Sequence, residues 1–187
     1  CGESCRTYSA DATREFQERN HSFASVTGYF AFTSANNFKL TDRAVPVPAT
    51  GILVMGNFFS SLGVQPMLGR SFLPEECLHG AHPVALLSYP FWKRQFHGDP
   101  NIVGKAVDLS GTPMTVIGVL PESFDFGSVF APGSRVDLFV PFVMSDCEND
   151  GNDLALMFRL KPGVTLAEAQ DEANRMFPRM DADLKHP

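Results

Sequence analysis

Cys77, His79 and His82 form a C-x-H-x-x-H segment directly after Glu75 and Glu76. Thiolate, imidazole and carboxylate are the ligand types zinc accepts, so the side chains have the right chemistry for a metal. Their setting argues the other way. The segment lies in a Gly- and Pro-rich stretch with no helix to fix ligand positions and no second ligand pair in the sequence. The expectation is an ordinary loop and no metal or cofactor, with Cys77, His79 and His82 as the zinc candidates. Asp146, Glu148, Asp150 and Gly151 follow the opening pattern of a calcium loop, alternating oxygen ligands before a glycine. The twelfth position from Asp146 is Met157, where a bidentate glutamate belongs, so a solvated acidic loop is the better reading.

Other reaction signatures are absent. Neither G-x-x-x-x-G-K-[ST] nor G-x-G-x-x-G occurs, which removes the loops that cradle phosphates with backbone N–H groups. G-x-S-x-G and H-E-x-x-H are missing as well. His21, His97 and His186 have no carboxylate or cysteine pattern nearby that nominates a base, and read as surface residues. Phe91, Trp92 and Phe96 beside Lys93 and Arg94 can be drawn as a base-stacking platform, but one short helix with an apolar face explains them better. No enzyme activity is expected.

The elements that must position these residues follow from spacing. Tyr8, Ala12 and Phe16 recur at four-residue intervals between Ser9 and Asn20, which predicts a helix over 9–20. Residues 23–33 and 47–55 read as strands joined by a polar loop containing Asn36, Asn37 and Pro46. GNFFSSLG reads as a short helix opened at Asn57 and ended at Gly63. Breakers crowd residues 64–83 and mark a change of subdomain. Beyond them come a strand at 84–87, a helix capped by Ser88 and stopped by Gly98 to Pro100, a hairpin of KAVDL and PMTVIGVL around SGT, and a strand at 136–142. LALMFRL has the length of a buried strand. Thr165 and Glu168 form a capping box for a helix that places Leu166, Ala169, Ala173, Met176 and Phe177 on one face and ends or kinks at Pro178.

The 187 residues are 44% hydrophobic and 19% charged, enough apolar surface for a packed core and too little charge for disorder. A net charge of −6 leaves no broad positive field for a phosphate backbone, so nucleic acid is excluded as a partner. The longest apolar runs, 51–59 and 138–144, fall far short of the roughly 20 residues a membrane helix needs. Four cysteines, Cys1, Cys5, Cys77 and Cys147, allow three full pairings among which sequence does not choose. Their even number favours an oxidising compartment, although a core of this size can do without disulfides. Most of the seventeen phenylalanines are expected in the core, with those of FFSSLG and SFDFGSVF as candidates for a partner surface.

The string GNFFSSLGVQPMLGRSFLPEE, followed by GAHPVALLSYPFWKRQFHGDPNIVGKAVDLSGTPMTVIGVLPESF, resembles the periplasmic core domain of MacB-like ABC transporter permeases, in the MacB/FtsX-like permease group. ERNHSF and LKPGVTLAEAQ are similar to the same family's flanks, so the resemblance covers roughly residues 9–180. It implies a noncatalytic domain on the periplasmic, extracytoplasmic face of the bacterial cytoplasmic membrane, set between two transmembrane helices of a permease. The implied fold is α+β: a porter-like α+β layer from both chain ends, residues 1–64 and 145–187, with a smaller mixed α/β subdomain inserted at 65–144. The implied partners are the transmembrane helices of the permease, a cytoplasmic ATPase subunit or domain, a second permease copy in a dimer and a periplasmic adaptor. The implied work is transmission of ATP-driven change to efflux or extraction. EECLHGAH and DCENDGND depart from the family pattern. Cys77 and Cys147, one in each departure, are a candidate disulfide if the two loops lie close together. The rival readings are a freestanding or lipid-anchored periplasmic binding protein with Cys1 as the anchor, and a zinc enzyme at Cys77, His79 and His82.

Overall fold

The computed structural model describes residues 7–31, 37–130, 133–144 and 154–183. In chain order the elements begin with helix α1 (Ala10–Arg19) and strands β1 (Phe23–Phe30), β2 (Asn37–Leu40) and β3 (Val47–Val54). Next come α2 (Phe58–Leu62), β4 (Leu68–Gly69), β5 (Val84–Leu87) and α3 (Tyr89–Phe96). The last are β6 (Ala106–Leu109), β7 (Thr112–Val119), α4 (Phe126–Phe130), β8 (Leu138–Pro141), β9 (Leu154–Leu160) and α5 (Leu166–Asp183). Short 3-10 helices lie at Pro74–Cys77 and Pro100–Ile102. The class is α+β, as the sequence predicts. Two compact units make up the chain, one from its two ends up to Ala31 and from Met144 on, the other from Phe32–Val143.

In the unit of the chain ends, Ser9 caps α1 by accepting the Ala12 N–H at 3.1 Å, and Asn20 closes the helix. β1 and β9 pair antiparallel from Phe23↔Leu160 to Phe30↔Leu154. Ala12 and Phe16 of α1, Phe23 and Val26 of β1, and Ala169 and Phe177 of α5 are buried together. Phe16 is the centre: it is fully buried and stacks on Phe177 at 4.4 Å between ring centroids. The Thr165–Glu168 box is present, with Glu168 Oε2 accepting the Thr165 N–H at 2.9 Å and Thr165 Oγ1 accepting the Glu168 N–H at 3.3 Å.

LALMFRL is not the buried strand its apolarity suggests. Leu154 is the only buried residue of β9, and Phe158 is 36% exposed. Among the described residues β9 pairs with β1 and, at Leu154, with Tyr8, which makes it an edge strand; burial on both faces belongs to strands with covered neighbours. Pro178 does not end α5, which runs on to Asp183. A proline inside a helix removes one N–H donor, and here the helix extends far enough on both sides to continue past it. Leu166, expected on the apolar face, is 72% exposed because it stands in the first turn, ahead of the seam formed by Ala169, Ala173, Met176 and Phe177.

The other unit is a ring of strands. β2 pairs with β3, β3 with β8, β8 with β5, β5 with β7, β7 with β6, and β6 returns to β2 at Leu40↔Leu109. The β3–β8 and β5–β7 pairs are parallel and the others antiparallel. Each of the six strands supplies at least one side chain to a single core: Leu40, Ala49, Leu87, Leu109, Val116 and Leu138 among them, joined by Phe91 and Trp92 of α3. β6 and β7 form the expected hairpin, its two-residue turn held by Ser110 and Gly111 at φ 58° and 87°. Alternation along β8 sends Leu138 to this core and Phe139 to an aromatic cluster with Phe59, Phe124 and Phe126.

Residue 64 is therefore not a boundary between the compact units. The parallel β3–β8 pairing ties residues 51–54 to 138–141, and the compact units divide after Ala31 and after Val143. The inserted unit takes in more of the chain than the two ends together and is the larger one. β2 occupies part of the stretch read as a polar loop, and α4 lies within SFDFGSVF, where no element was expected.

Candidate functional site

The EECLHGAH segment follows β4 and is organised by Arg70. Its guanidinium donates to both oxygens of Glu76 at 2.8 and 2.6 Å, and the same carboxylate accepts the Leu73 N–H at 2.8 Å. The Arg70 hydrogen bond holds Glu76 below the usual carboxylate range. Cys77 is a free, half-buried thiol whose Sγ donates to the Leu73 carbonyl at 3.5 Å. It packs over Gly56, where a Cβ would come within 2.5 Å of the sulfur. Burial, followed by the charges of Glu76 and Glu75, pushes the thiol up, which disfavours the thiolate that metal binding and nucleophilic attack both require. His79 is exposed, and His82 places Nε2 2.9 Å from Thr115 Oγ1.

Cys77, His79 and His82 are thus not gathered around one point. Among the described residues no group of three or more His, Cys, Asp or Glu side chains lies close enough to hold a metal ion. Cys147 and the acidic stretch Asp146, Glu148, Asp150 and Gly151 lie outside the described residues, as do Cys1, Cys5 and His186. His21 and His97 are exposed, as expected. Phe91 and Trp92 are buried in the ring core, and the Trp92 indole donates to the Asp99 carbonyl at 2.9 Å, so the stacking platform does not exist.

Two organising residues escaped the sequence reading. Asp137, 1% exposed, accepts from Arg94 at 2.7 Å and from the Thr50 N–H at 3.1 Å, while its backbone bonds Thr50 and Ser88. Through side chain and backbone together, this one residue ties β3 and the start of β8 to α3. An aspartate inside the apolar run VDLFVPF was the available signal. Ser88 is the N-cap of α3 but makes no side-chain capping bond, consistent with the proline in the first turn, which offers no N–H. Glu172 is the second: its carboxylate accepts the N–H groups of His21 and Ser22 at 2.7 and 2.8 Å. Its partners lie about 150 positions away in the chain, so no local pattern announces it.

The motif glycines have structural duties too. Gly63 takes φ 73° to end α2, and Gly69 takes φ 74° where β4 meets β7. Asp99 accepts the Asn101 N–H at 2.9 Å to open the 3-10 helix of GDPNIVG. These motifs build the fold and present no reacting group.

A model of the MacB-like periplasmic core domain matches residues 4–176. The chain belongs to that family. Its fold is shared with the periplasmic region of MacB from Actinobacillus actinomycetemcomitans, at 16% identity over 95% of this chain and 76% of that one, with a TM-score of 0.68. It is shared also with the extracellular domain of the noncanonic ABC-type transporter YknZ from Gram-positive bacteria, at 16% identity over 96% of this chain and 87% of that one, TM-score 0.68. No curated protein matches the chain in sequence. Membership makes this a periplasmic core domain of a MacB-like ABC transporter permease, on the extracytoplasmic side of the membrane. No helix among the described residues is long and apolar enough to cross a membrane.

Proposed function

We propose that this MacB-like domain transmits ATP-driven movements of a permease to the export or extraction of a substrate outside the cytoplasmic membrane, without catalysing a reaction itself. The family match over residues 4–176 is the observation that carries this reading. The packing supports it: transmission needs bodies that move without deforming, and each unit has a closely packed core of its own, around Phe16 in one and inside the strand ring in the other. The unit of the chain ends is the porter-like part in this reading. The partners are the transmembrane helices of the permease, a cytoplasmic ATPase, a second permease copy and a periplasmic adaptor.

The test is hydrogen exchange across this domain in the lipid-embedded parent transporter with its ATPase, compared without nucleotide and with the ATPase trapped by ATP and vanadate. Trapping should change exchange at specific segments of the domain. An identical profile in both states sinks the transmission reading.

A further inference from the structure

We infer that Glu172 is an acid-released latch that holds the first half of α5 to the turn between α1 and β1. The inference stands on geometry in one compact unit, and holds whether or not the domain transmits motion. The two carboxylate oxygens of Glu172 each accept one of two successive backbone N–H groups, His21 at 2.7 Å and Ser22 at 2.8 Å. Successive N–H groups converging on an anion form a nest, which favours negative charge. Around it Lys161 Nζ donates to the His21 carbonyl at 2.7 Å, and Asn20 donates to the Phe16 and Gln17 carbonyls, both at 2.9 Å. The turn is therefore held rigid from several sides, with Glu172 as its link to α5.

An ionised carboxylate serves both N–H groups, but a protonated one does not. Protonation turns one oxygen into a hydroxyl, which becomes a donor and leaves one of the two facing N–H groups without a good acceptor. Acid therefore breaks half of the latch directly and removes the charge from the other half. The charged and titratable groups facing Glu172 are the His21 imidazole of the turn, Lys161 of the β9–α5 connection, and Glu168, Asp171 and Arg175 of α5 itself. Partial burial pushes Glu172 up, but the hydrogen bonds from Ser22 and His21, with the charge of His21, outweigh it and leave the carboxyl below its ordinary range. A carboxyl held low in the fold stabilises fully above its unfolded pKa and stops doing so as pH falls through the folded one. Release therefore comes in acid below the ordinary glutamate range. The Phe16–Phe177 stack lies further along α5 and does not depend on the latch, so release loosens the early turns of the helix without unfolding the unit.

Amide NMR of the whole chain between pH 2.5 and 7 tests this. The His21 and Ser22 amide protons should shift together, with one shared midpoint below the ordinary glutamate range, and their protection from exchange should fall about tenfold or more across it. In Glu172→Gln the shared step should vanish and protection should be low at every pH. Carbon-13 observation of the Glu172 carboxyl in the unmodified chain gives the same midpoint without any variant. Separate midpoints for the two amides, a carboxyl that titrates where they do not, or a step that survives in Glu172→Gln would overturn the inference.

Discussion

Gly69 and Gly118 face each other across β4 and β7, and neither has room for a Cβ against the other's strand. A Cβ on Gly69 would lie 2.1 Å from the Ile117 carbonyl oxygen, and one on Gly118 would lie 2.7 Å from that of Leu68 and 2.9 Å from that of Arg70. The obstacles are backbone, which does not swing aside as a side chain does. Gly69→Ala and Gly118→Ala should each destabilise the chain by about 1–3 kcal/mol, the first also suffering from its positive φ. Urea melts check this, with Gly80→Asn, at a position with open space, as a near-neutral comparison. Unchanged midpoints at both glycines would contradict the crossing.

Phe16→Ala should cost about 3–5 kcal/mol, because it empties the centre of a cluster built from α1, β1 and α5. Phe158→Ala should cost well under half of that, since its ring is 36% exposed on the edge strand. Equal losses in thermal or urea melts would mean that β9 is more deeply packed than described.

Removing Asp137 leaves the Thr50 N–H and the Arg94 guanidinium without their buried acceptor. Asp137→Ala is expected to lose about 2–4 kcal/mol, whereas Arg135→Ala, which touches the same carboxylate from an exposed position, should lose less than about 1 kcal/mol. A double-mutant cycle of Asp137 and Arg94 separates their coupling from the backbone contribution.

Glu76 contributes a pH-dependent increment of the usual carboxylate sign. Its folded pKa is lowered, chiefly by Arg70, so its stabilisation is complete above the unfolded glutamate pKa and disappears as pH falls through the folded value. Arg70 is nearly half exposed, which keeps the increment below about 1 kcal/mol. The urea midpoints of wild type and Glu76→Gln should therefore differ slightly at pH 7 and converge in acid. A gap that widens in acid would reverse the assignment.

Cys77 should alkylate slowly in the reduced, folded chain at pH 7, and faster only above the pH range of an ordinary exposed thiol, because burial disfavours its thiolate. Peptide-resolved mass spectrometry after iodoacetamide treatment reads this site apart from the other cysteines. Labelling as fast as in the denatured chain would show that the packing over Gly56 is not maintained.

What was legible in the residues was whatever is written within a few positions. The Thr165–Glu168 box spans one helical turn, Ser9 and Asn20 bracket α1, and the SGT turn closes β6 on β7, so each signal was complete where it was read. β9 shows the limit of that reading: an apolar run looks the same whether a strand lies at the centre or the edge of a sheet, and pairing partners decide which. Pro178 was read by its local penalty alone, which the rest of α5 outweighs. The break at Ala31 depends on β3 finding β8 across more than eighty residues, and Glu172 depends on a turn still further away. The zinc candidates had suitable ligand types, and the fold gives Glu76 to Arg70 and Cys77 to Gly56 instead.

The interruption of one unit by the other also bears on the order in which structure forms. β1 pairs with β9 only after the whole Phe32–Val143 segment has been bridged, and closing a flexible loop of that length costs about 4 kcal/mol of chain entropy. Once the strand ring has formed, most of that cost has already been met by its own contacts, and the two chain ends search a much smaller volume for each other. This topology predicts that slow, long-range assembly divides into two shorter problems, the inserted ring forming first and the Phe16 cluster last. Substitutions in the ring should accordingly slow refolding, and those around Phe16 should mainly hasten unfolding.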